Sequence, residues 1–116
     1  MKESILREKS YQFALRIVKL YQFIASEKKE FVLSKQILRS GTSIGANVEE
    51  AIAAQSRKDF IHKMSIASKE ARETKYWLRL LDKSNLTSIE MNIYLIEVEH
   101  ILNIITKIIK TSQESK

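Results

Sequence analysis

Two histidines follow a carboxylate at the same spacing, in Asp59-x-x-His62 and Glu97-x-x-His100. In di-iron bundles one helix offers a carboxylate and an imidazole to a shared metal pair at this spacing. If the two segments are helices folded antiparallel about residues 84 and 85, His62 falls opposite position 107 and His100 opposite position 69. The histidines are then displaced by seven residues, or about 10 Å along the axis. At about 100° per residue, His62 lies roughly 200° from Phe60 and His100 roughly 180° from Met91, so both imidazoles point away from the core. No metal site is expected. The stretch RSGTSIGANVEEA, residues 39–51, contains both glycines of the chain, Gly41 and Gly45. A phosphate loop would need a preceding strand and a Gly-Lys-Ser/Thr ending to aim its amides at the phosphates, and neither is present. The helical count instead places Ile37, Gly41, Ile44, Val48 and Ala51 on one face, thin enough for another helix to approach closely.

Catalysis finds little support elsewhere. There is no cysteine, which removes thiolate zinc sites, disulfides and cysteine nucleophiles together. No Gly-x-Ser-x-Gly elbow nominates a serine. The polar band Gln36, Arg39, Ser43, Asn47 and Glu50 lies off the core face of the glycine segment, and an enzymatic reading would need a pocket beside it. We therefore expect no enzyme and no cofactor.

The strongest positive signal is a basic stripe. Taking Phe60 as the core direction, Lys58, Ser65, Lys69, Arg72, Tyr76, Arg79 and Lys83 fall within an arc of about 100° to 180°, while Asp59, Glu70, Glu73 and Asp82 fall outside it. Lysines and arginines in a row track a phosphate backbone, and a tyrosine among them stacks on a base. Lys58, Lys69, Arg72, Tyr76, Arg79 and Lys83 are the candidate nucleic-acid contacts, with Lys9, Arg16 and Lys19 at helical spacing nearby. A solvated lysine-rich face fits the same pattern. The formal net charge is +6, and its excess lies in residues 1–30 and 56–83.

These residues must be held by helices. Four stretches have apolar residues at three- and four-residue steps, near 4–26, 30–54, 57–83 and 87–112. Leu6, Phe13, Ile17, Leu20 and Ile24 mark the first. Phe60, Met64, Ala67, Ala71, Thr74, Leu78 and Leu81 mark the third, and Met91, Leu95, Val98, Leu102, Ile105 and Ile109 the fourth. Ser56-x-x-Asp59 and Thr87-x-x-Glu90 have the spacing of N-terminal caps. Short polar joints and the absence of strand patterns predict one all-α domain over 1–116, an antiparallel up-down-up-down four-helix bundle. Ser-Gly-Thr-Ser is its weakest helical stretch, each glycine costing about 1 kcal/mol relative to alanine. No signal peptide or membrane-length apolar run is found, so a cytoplasmic location without membrane contact is expected. A second apolar surface lies off the core direction: Ile66, Trp77 and Leu80 on the third helix, and Ile89, Ile93, Ile96 and Ile104 on the fourth. Contiguous apolar patches mark association sites, which predicts a homo-oligomer.

SKQILRSGTSIGANVEEA followed by DFIHKMSIASKEARETKYWLRLL resembles the bacterial four-helix-bundle proteins encoded by intervening sequences in 23S ribosomal RNA genes. The resemblance spans nearly the whole chain and is most specific from Gln36 to Leu81. It rests on Arg39, Ser43, Ile44, Asn47, Glu50, Asp59, Phe60 and Ala67. Ala51 stands where many members have glycine, and Gly45 where many have proline. The resemblance implies a ring-shaped homopentamer and kinship with the accessory variability determinant of diversity-generating retroelements, a basic bundle that binds nucleic acid and a reverse transcriptase. The expected function is thus a non-catalytic, oligomeric bundle that binds structured RNA of the ribosomal intervening-sequence type. The alternative is a protein-interaction scaffold or accessory subunit for a partner such as a reverse transcriptase.

Overall fold

The computed structural model describes residues 2–114 and contains four helices: α1 (Lys2–Glu27), α2 (Val32–Ile52), α3 (Arg57–Ser84) and α4 (Asn92–Glu114). Met1, Ser115 and Lys116 lie outside the described residues. Each helix packs on two neighbours, α1 on α2 and α4, and α3 on α2 and α4, while the diagonal pairs stay apart. Four-residue joints leave α2 and α3 antiparallel to their predecessors, because so short a connection returns the chain alongside itself. The result is a square bundle with extents of 50 × 20 × 20 Å.

The helix ends follow from local chemistry. Lys29 turns the chain in a left-handed conformation (φ 54°), and the Glu30 amide then reaches back to the Ile24 carbonyl at 3.4 Å. Glu30 caps α2 in place of a serine or asparagine. Its carboxylate accepts the amides of Val32, Leu33 and Ser34, each at 2.9 Å, groups that would otherwise lack partners at a helix start. Ser56 caps α3 as its spacing predicts, accepting from the Asp59 amide at 3.1 Å. Asn85 closes that helix with φ 59°, a conformation asparagine tolerates better than most residues. The fourth helix begins five residues later than the Thr87 signal predicts. Thr87 accepts from the Ile89 amide two residues on, making a local turn, and the Glu90 carboxylate reaches the Asn92 amide at 3.4 Å. Short threonine turns compete with helix in this way.

One continuous core runs through the bundle. Leu6, Phe13, Ile17, Leu20 and Ile24 of α1 meet Ile37, Ile44 and Val48 of α2, Met64, Ala67, Ala71, Leu78 and Leu81 of α3, and Val98, Ile101, Leu102, Ile105 and Ile108 of α4. On α4 the buried seam therefore includes Ile101 and Ile108, while Leu95 and Ile109 only flank it. The Ser-Gly-Thr-Ser stretch stays helical throughout. Ser40, Thr42 and Ser43 turn their hydroxyls back to the carbonyls of Gln36, Leu38 and Arg39 at 2.6–2.8 Å, so no polar group there pulls the backbone out of the helix. Gly41 faces α1 so tightly that a Cβ at its position would lie 2.9 Å from Cγ2 of Ile17. At Gly45 the added Cβ would meet the Ser10 carbonyl oxygen at 3.4 Å, an ordinary contact. Both glycines thus sit on the α1 seam, Gly41 on the thin face the spacing predicts and Gly45 beside it.

Candidate nucleic-acid interface

Each of the four seams carries an ion pair. Arg7 meets Glu49 at 2.8 Å between α1 and α2, and Arg16 meets Glu97 at 3.0 Å between α1 and α4. Arg39 of α2 pairs with both Glu70 and Glu73 of α3, and Lys75 meets Glu99 at 2.8 Å between α3 and α4. Exposed pairs of this kind add little stability, about 0.2–1 kcal/mol each. Arg16 is thereby engaged with Glu97 and is not a free phosphate contact.

The α2 polar band does not act as a unit. Its upper part binds α3: Arg39 donates to Glu70 at 3.3 Å and to Glu73, and its Nε approaches the Gln36 side chain at 3.4 Å. Beneath this surface the hydroxyls of Ser40 and Thr74 meet at 2.9 Å in the core, and each also reaches its own helix's carbonyl four residues back. Asn47 donates to the Ser43 carbonyl at 2.9 Å and Ser43 to that of Arg39, so these two face their own helix. Glu50 is exposed. None of the five lines the clefts of the α1/α4 or α3/α4 seams.

The Arg39 hydrogen bond, with that of the Trp77 indole N–H at 2.9 Å, holds the Glu73 carboxyl below the usual carboxylate range. A folded value below the unfolded one stabilises the protein at pH above that range, and the stabilisation is lost as pH falls through the lowered value. Trp77 is the single tryptophan. Its emission should therefore report Glu73 protonation, with the midpoint moving to higher pH in Arg39→Ala. An unshifted midpoint would show that Arg39 does not set the charge of Glu73.

The basic stripe forms a surface of α3. Lys58, Lys69, Arg72, Tyr76, Arg79 and Lys83 are all exposed. Among the described residues, none of its five cations has a carboxylate within 4.0 Å. Arg72, Tyr76, Arg79 and Lys83 border a groove along the α3/α4 seam, whose opposite wall is Leu95, Leu102, Asn103 and Thr106. Lys58 and Lys69 continue the stripe beyond that groove. The α4 wall lay outside the sequence reading, because Asn103 and Thr106 carry no charge pattern and only the α3/α4 register brings them opposite Arg72.

The second apolar surface is smaller than the sequence predicts. Trp77, Ile89 and Ile104 pack partly against the core, and Ile66 is half-buried. Leu80 faces the α3/α4 groove beside Arg79 and Lys83. Ile93 and Ile96 remain exposed on α4, at 51% and 69% of their surface. A helix in a square bundle packs on two sides, so residues well off its mean core direction are still covered, a width that a single core vector underestimates. His62 and His100 are exposed, and no three His, Cys, Asp or Glu side chains among the described residues cluster closely enough to hold a metal. Among the described residues no helix is long and apolar enough to cross a membrane.

Fold and surface together define a small antiparallel helical bundle whose open groove is bordered by cations. The chain belongs to the 23S rRNA-intervening sequence protein family, whose sequence pattern matches residues 2–110. Among solved structures it is similar to a protein with unknown function from the S23 ribosomal protein family of Bacteroides thetaiotaomicron. That crystal structure is 52% identical, with 95% of this chain and 99% of the other covered, at a TM-score of 0.92. No curated protein matches in sequence.

Proposed function

We propose that this protein is a non-catalytic RNA-binding bundle that uses the exposed face of α3, with Lys58, Lys69, Arg72, Arg79 and Lys83 on phosphates and Tyr76 on a base. The observation that carries this reading is the row of cations along an open groove which, among the described residues, have no carboxylate partner, whereas Arg7, Arg16, Arg39 and Lys75 are each held by one. Family membership supports RNA as the polyanion. Binding of this kind releases counterions. With about five phosphates neutralised, affinity falls by roughly 100-fold to 500-fold between about 50 and 200 mM salt, from the single-strand to the duplex slope. A titration with structured RNA and with duplex DNA at the two salt concentrations tests this, and salt-independent or undetectable RNA binding would overturn it.

Exposure of Ile93 and Ile96 on neighbouring turns of α4 favours a second role, association through that face. The occupant is a further copy of the chain, in the ring of five that the family resemblance implies, or a protein partner such as a reverse transcriptase. Light scattering on the purified chain distinguishes them, since a strict monomer removes the ring.

A further inference from the structure

The α3/α4 groove has two halves that share Lys75, Tyr76 and Arg79. Toward the end of α3 the exposed surface of the groove is mostly apolar, with Leu80 and Leu95 set among Arg79, Asp82 and Lys83, and the space is about 400 Å³. Toward the middle of α3 the walls are polar, with Arg72 facing Asn103 and Thr106, and the space is about 380 Å³. Tyr76, 54% exposed, stands where the halves join.

We infer that this double groove is a site for one unpaired nucleotide of an RNA, its base against Tyr76 beside Leu80 and Leu95, its ribose in the polar half, and its two flanking phosphates on the cations of the two halves. The inference rests on the RNA-binding reading and specifies its ligand. Small-ligand sites fall in the range of about 300–1,000 Å³, lined mainly by apolar groups with a few polar ones to set orientation. A flat basic face suffices to track a paired backbone, and does not need such a depression. Charge in the groove agrees. Lys75 and Glu99 neutralise each other at 2.8 Å, which leaves Arg72, Arg79 and Lys83 against Asp82, an excess suited to the phosphates on either side of a nucleotide. Tyr76 is braced by Trp77, ring centroids 5.2 Å apart and 70° between planes, so a base stacks on a ring already held in place. The Thr106 hydroxyl donates to the Leu102 carbonyl at 2.8 Å, which leaves its oxygen as an acceptor. A ribose 2′-OH can donate to it, and deoxyribose cannot. Asn103 offers both donor and acceptor beside it.

Trp77 supplies a built-in signal, because a base on Tyr76 changes the surroundings of the adjoining indole. The full chain is titrated, following the anisotropy of end-labelled nucleic acid for affinity and tryptophan emission for stacking, with an RNA stem carrying one unpaired nucleotide, with the same stem fully paired, and with the deoxy form of the first. The unpaired RNA is expected to bind about tenfold more tightly than the paired stem. Tyr76→Ala should abolish that preference, Tyr76→Phe should keep it, and the deoxy form should bind more weakly than the RNA. Equal binding of both stems, or a preference that survives Tyr76→Ala, overturns the nucleotide site and leaves α3 as a phosphate surface. No binding to any of the three overturns the RNA reading and the site together.

Discussion

Gly41→Leu is expected to destabilise the bundle by about 3 kcal/mol, the upper end of the overpacking range. Even the first added carbon meets Cγ2 of Ile17 at 2.9 Å and Cγ1 at 3.0 Å. Those atoms hang on a branched Cβ with little rotamer freedom, so they cannot swing aside as the end of a long chain would. Relief has to come from moving α1 away from α2, which opens the core around Phe13 and Ile44. Gly41→Ala sets two effects against each other. Helix propensity favours alanine by about 1 kcal/mol, while the contact with Ile17 costs about 1–3 kcal/mol, and the net change should be destabilising. Gly45→Ala gains the same propensity and meets Ser10 no closer than 3.4 Å, at its carbonyl oxygen, so it should be neutral or stabilising by up to about 1 kcal/mol. The decisive comparison is a double-mutant cycle by urea denaturation. In an Ile17→Ala background the obstructing carbons are gone, and Gly41→Ala should become stabilising. If it destabilises equally in both backgrounds, close approach to Ile17 is not why position 41 is glycine.

The same pair of residues illustrates how much of this molecule is readable from its sequence. The 4-3-4-3 spacing through Ile37, Gly41, Ile44, Val48 and Ala51 places a thin face on α2, and those five residues are buried. Which helix presses on that face is not encoded in α2, because the glycines specify a missing volume and Ile17 and Ser10 fill it. Helix starts are legible where a side chain caps at standard spacing, as Ser56 does, and illegible where a longer one does. Glu30 serves three amides without belonging to the usual cap residues. The Arg39 band poses the same difficulty. Its arc can be drawn on α2 alone, but the partners that engage Arg39 lie 31 and 34 residues away in Glu70 and Glu73, while Ser43 and Asn47 bond to their own helix. On α3 alone Glu70 and Glu73 are only charges outside the basic arc, on the flank that faces Arg39 of α2. The basic stripe is legible because it needs one helix, whereas the groove beside it needs the α3/α4 register and was not.

Reversing Lys69, Arg72, Arg79 and Lys83 to glutamate is expected to weaken RNA binding by two orders of magnitude or more. Charge-assisted contacts contribute about 1.5–3 kcal/mol each, so losing even two of the four accounts for that factor. The salt dependence should flatten as well, since fewer phosphates are neutralised. Fold loss is a poor explanation for such an effect, because all four side chains are exposed and, among the described residues, none is engaged in an ion pair. Surface changes of this kind stay within about 0.5 kcal/mol each. The reversal also creates like-charge neighbours one turn apart, position 69 with Glu73 and with position 72, and position 79 with Asp82 and with position 83, a repulsion that costs a few tenths of a kcal/mol per pair. The neutral quartet Lys69→Gln, Arg72→Gln, Arg79→Gln and Lys83→Gln removes that repulsion and should still lose most of the affinity. Lys75 is left out deliberately, since its removal strands Glu99 and mixes a structural effect with a binding one. Lys9→Gln with Lys19→Gln on α1 lowers net charge without touching the groove, and should cost little. If that pair weakens binding as much as the α3 quartet does on a per-charge basis, the protein attracts RNA by its overall charge and the α3 face has no special part in it.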